Sequence, residues 1–295
     1  MTRAEKLIQI IKNAKLTGRV DDPPAWQIEK TRFQGNLCRI LLLPVGGLLV
    51  AMMKYVRDYR IENMVEIRKQ FREIWQEKER GGYPLVICAN HLTFIDSALI
   101  IWALASNYWY FFNYRAFTWN VPAGDFFKKK LHYHAILYFT KCIFIDRKGS
   151  PAHKNAVLNL CRYLLAKGNI VLIFPEGQRS REGRFDVERL RFGTGKILTS
   201  LENARVLCIY LRSPSQKEFS NYPAKGSSFK MNMQLIQPNV DGPSKKQASI
   251  AAVKEIGSVI HRMENEFFAQ NPGTQAPSPA SVPLRDADSR DDKTR

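Results

Sequence analysis

Cysteine is scarce in this chain, and none of it is spaced like a metal-binding or redox motif. The five cysteines of the 295 residues form no CxxC pair, and most lie within apolar runs: Cys38, Cys88, Cys142, Cys161 and Cys208. Disulfide frameworks and thiolate metal sites depend on paired, suitably spaced thiols. We therefore expect reduced, buried thiols, which favours a chain that faces the cytoplasm.

Signals for secretion and metal binding are also missing. Residues 1–36 are polar and basic, and they are too long and too charged for the start of a secretory signal peptide, so we expect none. His132 and His134 lie two apart, but no cysteine or carboxylate cluster accompanies them. We interpret them as surface or packing residues and predict no metal site.

The chain does carry a large excess of positive charge. Its net charge is +18. Its apolar fraction of 45% is ordinary for a globular protein with a hydrophobic core. Such a charge favours a polyanionic partner, which is an anionic membrane surface, a phosphate-bearing substrate or a nucleic acid. Because no recognised nucleic-acid motif accompanies the charge, we expect no nucleic acid among the partners.

An uncharged segment over residues 40–53 suggests contact with a membrane. It is shorter than the roughly 20 residues that cross a bilayer as a helix, and Pro44, Gly46 and Gly47 interrupt it. We therefore predict an in-plane or re-entrant element, with a buried core helix as the alternative. The basic, amphipathic stretch that follows, up to about residue 80, would suit an anionic lipid surface, although for the charges alone a solvated helix face is the better explanation.

Beyond this segment, short apolar runs alternate with helical patterns. Strands are predicted at residues 84–89, 140–145, 169–174, 205–211 and 229–236. Residues 97–114 are uncharged but are divided at Ser106 and Asn107, which predicts a helix and then an aromatic strand over residues 108–114. Further helices are predicted after Ser150, near Thr194 and over residues 243–268. The alternation indicates an α/β fold with a mostly parallel central sheet flanked by helices.

The same pattern predicts four regions along the chain. Residues 1–36 form a basic N-terminal segment, and residues 37–80 form a helical, membrane-associated element. Residues 81–270 form the α/β domain. Residues 271–295 are rich in Pro, Ser, Ala and Asp and are expected to be a disordered tail.

A histidine follows the first predicted strand of the α/β domain directly. His91 comes just after residues 84–89, and Thr93 and Asp96 have the spacing of an N-terminal capping box for the next helix. Two helical positions that are five apart point about 140° away from each other. His91 and Asp96 therefore meet only if His91 lies outside the helix, on the turn.

Three strand ends carry polar residues, and ligands collect beyond the carboxyl ends of strands in α/β sheets. They are His91 with Asp96, Asp146 with Arg147, and the run from Glu176 to Arg179. A histidine oriented by a carboxylate is a competent general base. No Gly-x-Ser-x-Gly motif is present, so the activated hydroxyl is expected to belong to the substrate. The alternatives are a structural histidine, an aspartate that only caps its helix, and an arginine that only pairs with a carboxylate.

Three ordered motifs resemble those of the glycerolipid acyltransferases, and within them the 1-acylglycerol-3-phosphate acyltransferases. They are Asn90-His91-x-x-x-x-Asp96, Phe144-Ile145-Asp146-Arg147 and Phe174-Pro175-Glu176-Gly177-x-Arg179-Ser180, and the resemblance covers about residues 84–211.

The resemblance implies acyl transfer from acyl-CoA or acyl carrier protein to a lysophospholipid hydroxyl, with no cofactor. His91 would be the base and Asp96 its orienting partner, while Arg147, Glu176, Gly177 and Arg179 would bind the acceptor. It also implies an acyltransferase fold with a helical N-terminal membrane anchor, on the cytoplasmic face of a membrane.

The sequence departs from the family pattern at three places. Gln178 stands where the family often has Thr, Lys141 stands where it often has Gly, and residues 206–209 lack a usual proline. None of these removes a predicted catalytic group. They leave open an acceptor other than lysophosphatidic acid, including glycerol 3-phosphate, and a non-catalytic lipid-binding protein of the membrane surface is the competing hypothesis.

Overall fold

The structure, a computed structural model, describes residues 22–123, 137–180, 183–216 and 220–274. His132 and His134, interpreted above as surface or packing residues, lie outside the described residues. Residues 1–21 of the basic segment and residues 275–295 of the predicted tail also lie outside them.

Two helices joined at a sharp bend form the N-terminal part of the described chain. Helix α1 spans Ala25–Leu41, α2 spans Pro44–Ala51, and a π-helical extension of α2 spans Met52–Val56. The proline at the first position of α2 suits a helix start. Among the described residues no single helix has the length and apolarity to span a membrane, although α1 and α2 with its extension meet those criteria as a pair bent by 60°. The structure by itself does not show a membrane anchor.

The rest of the described chain alternates strands and helices. In chain order these are β1 Arg60–Ile61, α3 Met64–Gly81, β2 Leu85–Ala89, α4 Asp96–Leu104, α5 Asn107–Phe112, β3 Trp119–Asn120, α6 Pro151–Ala166, β4 Ile170–Ile173, α7 Gly193–Leu198, β5 Arg205–Arg212, β6 Ser228–Ile236 and α8 Lys245–Gln270. The predicted strands at 84–89, 169–174, 205–211 and 229–236 are confirmed, as are the helices after Ser150, near Thr194 and over 243–268.

The strands form one six-stranded sheet in the order β1-β6-β5-β2-β4-β3. Every neighbouring pair is parallel except β5 and β6, which are antiparallel. This confirms a mostly parallel α/β sheet. Strand β2 lies at its centre, with Cys88 beside Ile173 of β4 on one side and Cys208 of β5 on the other.

Helices cover the two faces of this sheet and enclose two apolar cores. Because side chains alternate along a strand, Leu85 and Ile87 of β2 join the core beneath α3 and α4, while Val86 and Cys88 join the core beneath α6 and α8. All five cysteines are buried and free, as predicted. The close approach of α7 and α8 needs a glycine, since a Cβ on Gly195 would lie 2.1 Å from the carbonyl oxygen of Ser249.

Two predicted strands are wrong. The aromatic run over residues 108–114 lies mostly in helix α5, because the Ser106 side chain caps the helix by accepting from the Trp109 N–H at 3.2 Å, and Tyr110 is fully buried. Capping and packing thus override the β preference of aromatic residues. Residues 140–145 form only isolated bridges, at Cys142 and Ile145. Lys141 has a φ of 54°, which breaks an extended strand at its second residue.

Candidate active site

The site lies where the neighbouring strands β2 and β4 end. Their parallel pairing places the turn at His91 beside the turn at Glu176, although 85 residues separate them. The His91 N–H donates to Glu176 Oε2 at 2.8 Å, and the His91 carbonyl oxygen accepts from the Ser180 N–H at 2.8 Å. The first and third sequence motifs are therefore joined through main-chain atoms of His91.

Asp96 is the first residue of α4, and its carboxylate organises the whole turn. Its Oδ2 atom lies 3.0 Å from His91 Nδ1 and also accepts from the N–H groups of Leu92 and Thr93, at 2.6 and 2.7 Å. Its Oδ1 atom accepts from the Thr93 hydroxyl at 2.5 Å. His91 lies outside the helix, as predicted from the spacing, and Asp96 both orients the imidazole and holds the turn.

The imidazole of His91 is fixed on two sides. Its ring stacks on Phe174, with 4.0 Å between ring centroids and 13° between ring planes. When Nδ1–H donates to Asp96, the lone pair of the imidazole lies on Nε2, which is the atom that takes a proton. The side chain is 20% exposed, so part of it reaches solvent. This arrangement suits a general base.

Glu176 is buried, with 3% of its surface exposed. Its carboxylate accepts from the N–H groups of His91 and Asp186, while burial raises its pKa well above the ordinary value. Glu176 therefore stabilises the His91 turn by accepting from its main-chain N–H. Its predicted contact with an acceptor stays a prediction.

Arg147 and Gly177 also meet, across 30 residues of chain. The exposed Arg147 side chain donates from Nη1 to the Gly177 carbonyl oxygen at 2.7 Å. Gly177 has a φ of +68°, and a Cβ there would lie 2.7 Å from Arg191 Cγ. Only glycine satisfies both the backbone angle and the space at this position.

Arg179 lies on another side of the same turn. Its guanidinium carbon is 3.7 Å from the ring centroid of Phe94, and Nη1 donates to Asn221 Oδ1 at 2.9 Å. The Phe94 N–H donates to the Asn221 carbonyl oxygen at 3.0 Å. The loop between β5 and β6 therefore borders the site.

Sequence reasoning did not assign site roles to Phe174, Thr93, Asn90 or Asn221. The first three lie within or beside the motifs, so their closeness in sequence to the predicted site residues could have indicated a role in the site. Asn90 ties β2 to β5, since its side-chain amide donates to the Leu211 carbonyl oxygen at 3.0 Å and accepts from the Leu211 N–H at 2.7 Å. Asn221 gave no signal, because its contacts depend on how the β5–β6 loop folds back.

Comparison with known proteins identifies a family for this part of the chain. A profile of the family described as Acyltransferase matches residues 64–235, which is more than half of the chain. The match runs from the start of α3 almost to the end of β6 and includes the six predicted site residues. Helices α1, α2 and α8 lie outside it. No curated protein matches the chain.

Proposed function

Since the chain belongs to the acyltransferase family, that of the glycerolipid acyltransferases, we propose that it moves a fatty acyl chain from a thioester donor to the free hydroxyl of a lysophospholipid. The donor is acyl-CoA or acyl carrier protein, and no cofactor takes part. The acceptor that fits the motifs best is 1-acylglycerol-3-phosphate, which gives phosphatidic acid. The observation that carries the proposal is the contact of His91 Nδ1 with Asp96 Oδ2 at 3.0 Å.

The pair supports a direct transfer. His91 Nε2 removes the proton from the acceptor hydroxyl, and the resulting oxygen attacks the thioester carbonyl carbon. The tetrahedral oxyanion then collapses, an ester C–O bond remains, and the C–S bond breaks. The leaving thiolate takes the proton from the imidazolium, so a free thiol is released and His91 returns to its neutral form.

Asp96 supports this cycle by holding the imidazole with Nδ1–H toward its own carboxylate. The negative charge stabilises the imidazolium that forms when Nε2 takes the proton. Asp96 is itself held by three other donors, so its position does not depend on the bond to His91. The base is thus oriented before the acceptor arrives.

The acceptor phosphate is proposed to bind near Arg147 and Arg179, on the turn that also carries Glu176 and Gly177. Guanidinium groups present planar, paired donors that match phosphate oxygens. The Arg147 side chain is exposed and reaches the Gly177 carbonyl, which places its charge at the edge of the turn. The contact of buried Glu176 with the His91 main chain holds the first and third motifs together.

We assign residues 37–80 to membrane association and residues 81–270 to the catalytic domain. Several apolar side chains of α1, the turn after it, α2 and its extension are exposed to solvent, a pattern that suits insertion into lipid: Ile40, Leu43, Leu48, Met52 and Val56. Lys54 and Arg57 lie beside Met52 and Val56, and cations beside an apolar face favour anionic lipid. The protein is accordingly proposed to lie on the cytoplasmic face of a membrane, as a monotopic or peripheral protein.

The test is acyl transfer by the purified full chain in detergent. Acyl-CoA and acyl carrier protein donors of several chain lengths are offered to a panel of lyso-lipids and to glycerol 3-phosphate, with products measured by mass spectrometry. We expect free thiol release that depends on the acceptor, and a loss of about 1,000-fold or more in His91→Ala. His261→Ala, at a histidine of α8 with a 44% exposed side chain, is the matched control.

Two results would change the conclusion. Full activity of His91→Ala would remove the general-base assignment. Vesicle binding without thiol release on any acceptor would identify a lipid-binding protein of the membrane surface, the alternative that the exposed apolar side chains of α1 and α2 also favour.

A further inference from the structure

Helix α8 carries a buried carboxylate that faces the chain segment just after the third motif. Glu264 lies in the last third of this helix, and only 1% of its surface is exposed. Its Oε1 atom accepts from the Phe185 N–H at 3.0 Å and from the Tyr210 hydroxyl at 3.3 Å. Its Oε2 atom lies 3.6 Å from His261 Nδ1, which is longer than a hydrogen bond. A buried carboxylate is costly without donors, so the contacts of Oε1 matter for the position of both partners.

The segment that contains Phe185 is held at three consecutive residues. The Gly183 carbonyl oxygen accepts from Nη1 of the buried Arg212. The guanidinium carbon of Arg184 lies 3.6 Å from the ring centroid of Phe268. The Phe185 side chain is itself 4% exposed. Because Arg212 belongs to β5 and Phe268 to α8, the segment is fastened to both of these elements.

The next residue of this segment makes the contact with the site. The Asp186 N–H donates to the buried Glu176 carboxylate, whose Oε2 atom accepts from the His91 N–H at 2.8 Å. Two neighbouring main-chain N–H groups, those of Phe185 and Asp186, therefore donate to two buried carboxylates. One carboxylate belongs to α8, and the other holds the His91 turn. Since the two N–H groups are one residue apart along the backbone, fixing one of them also restricts the other.

We propose that Glu264 is a positioning residue for the His91 base. It acts through residues 185–186 on the Glu176 carboxylate, which in turn holds the His91 main chain. The inference rests on the proposed function, because it takes His91 as the base. It adds a residue that lies outside the three motifs and beyond residues 64–235, the part of the chain that the family profile matches. Helix α8 therefore contributes to the site as well as to the core.

Glu264→Leu is the decisive variant, because leucine is similar in size and accepts no hydrogen bond. The Phe185 N–H is then buried without its acceptor, and the segment is less firmly held. We expect kcat to fall about tenfold, the effect of losing about one hydrogen bond. The KM values for the thioester donor and the acceptor are expected to stay within about twofold, because Glu264 is not among the groups proposed to bind them. Glu264→Gln keeps an acceptor oxygen and should retain kcat within about threefold.

Val253→Ala is the matched control for a general loss of stability. Val253 is also buried on α8, about three turns before Glu264. Its truncation costs packing energy but removes no hydrogen bond. We expect a lower midpoint of thermal unfolding and an unchanged kcat, measured at a temperature at which every variant is folded.

Glu264→Asp decides the matter if Glu264→Leu does not fold. It keeps a carboxylate beside the cations Arg184 and Arg212, but its side chain is one methylene shorter, which lengthens the contact with Phe185. We expect kcat to fall about threefold or more. A kcat equal to that of the wild-type chain would overturn the inference.

A double-mutant cycle tests the route through Glu176. Glu176→Ala removes the acceptor of the His91 and Asp186 N–H groups. If Glu264 acts through that acceptor, adding Glu264→Leu to Glu176→Ala lowers kcat further by less than about twofold. A further tenfold loss would show that the two carboxylates act independently, which contradicts the inference.

Amide hydrogen exchange separates this inference from the proposed function, because it needs no turnover. In Glu264→Leu we expect faster exchange in the peptides that contain residues 185–186 and in those that contain His91. Val253→Ala is expected to leave the exchange of these peptides as in the wild-type chain. Faster exchange at His91 in a chain that transfers no acyl group would support the positioning of the turn and refute the proposed reaction. Unchanged exchange at His91, or a rise in KM without a fall in kcat, would overturn the inference.

Discussion

At the scale of single residues, Asp96 shows how one carboxylate serves two purposes. Its two oxygens together offer about four acceptor positions, and the described contacts are two N–H groups, one hydroxyl and one imidazole. The contacts with Leu92 and Thr93 fix the turn, and the contact with His91 fixes the ring. Holding the turn and orienting the imidazole therefore coexist in the same side chain, whereas helix α4 has Ile95 as its N-cap and no side-chain cap bond, unlike the capping box predicted from Thr93 and Asp96.

Asp96→Asn tests the orienting role. Its amide oxygen can still accept from the N–H groups of the turn, so we expect the midpoint of thermal unfolding to fall by only a few degrees. The same amide oxygen can still accept from His91 Nδ1–H, but the negative charge that stabilises the imidazolium is lost. We expect the turnover rate to fall by about 100- to 10,000-fold, measured by acceptor-dependent thiol release. An unchanged rate would leave Asp96 with the structural role alone.

At the scale of elements, the segment that leads to Arg147 is held by a buried lysine. Lys141 Nζ donates to the Phe117 carbonyl oxygen at 2.6 Å and lies 4.3 Å from the Tyr114 ring centroid and 4.9 Å from that of Trp119. Its backbone has a φ of 54°. The glycerolipid acyltransferases often have a glycine here, which adopts such an angle readily. This chain instead has the long, positively charged side chain of Lys141, which is completely buried.

Lys141 is expected to make stability depend on pH. Burial lowers its pKa from 10.5 to about 7, so between these values the unfolded chain binds a proton that the folded chain lacks. Stability therefore rises with pH above 7, by up to about 2 kcal/mol between pH 7 and 9. In Lys141→Met this rise should be missing, which denaturant unfolding of both proteins at pH 6, 7, 8 and 9 measures.

Only the difference between the two pH profiles bears on Lys141. Methionine leaves the Phe117 carbonyl oxygen without its lysine donor, so Lys141→Met is expected to be less stable overall. Other titrating groups are common to both proteins and cancel in the difference. Parallel profiles would show that the buried amine does not titrate in this range.

At the scale of the whole molecule, polarity is distributed unevenly. The two apolar cores on either side of the sheet are closed by α3 to α8, whereas α1 and α2 leave large apolar side chains in solvent. The net charge of +18 adds a general attraction to anionic surfaces. The proposed membrane contact therefore belongs to the N-terminal helices.

Leu48→Asp tests that contact. Leu48 lies on α2 and is 71% exposed, so the change disturbs little of the fold. We expect binding to vesicles that contain anionic lipid to fall about tenfold or more, because a carboxylate is costly to place in lipid and is repelled by the anionic surface. Vesicle co-sedimentation measures this binding.

Val240→Asp is the control for charge alone, since Val240 is an exposed apolar residue between β6 and α8. It adds the same negative charge outside the N-terminal helices. An equal loss of binding in both variants would assign the effect to net charge, and no loss in Leu48→Asp would place the membrane contact elsewhere.

The sequence by itself determined the features that depend only on neighbouring residues, such as short strands, helix starts and the geometry of a turn. The apolar run before His91 predicted β2, and Ser150 with the following proline predicted the start of α6, where the Ser150 hydroxyl accepts from the His153 N–H at 3.2 Å. The spacing of His91 and Asp96 predicted a histidine outside the helix, because five residues fix that geometry almost without reference to the rest of the chain.

Only the tertiary structure decided which residues far apart in the sequence come into contact. Together with the local cap at Ser106, the burial of Tyr110 made α5 a helix despite its aromatic residues. Residues 140–145 form no regular strand, because Lys141 is held in a left-handed backbone conformation. Tertiary packing also brought Glu176 under the His91 turn and Asn221 beside Arg179. Periodicity and capping carry information over one or two helical turns. Contacts between strand ends depend on strand order and loop folding, which no short window of sequence contains.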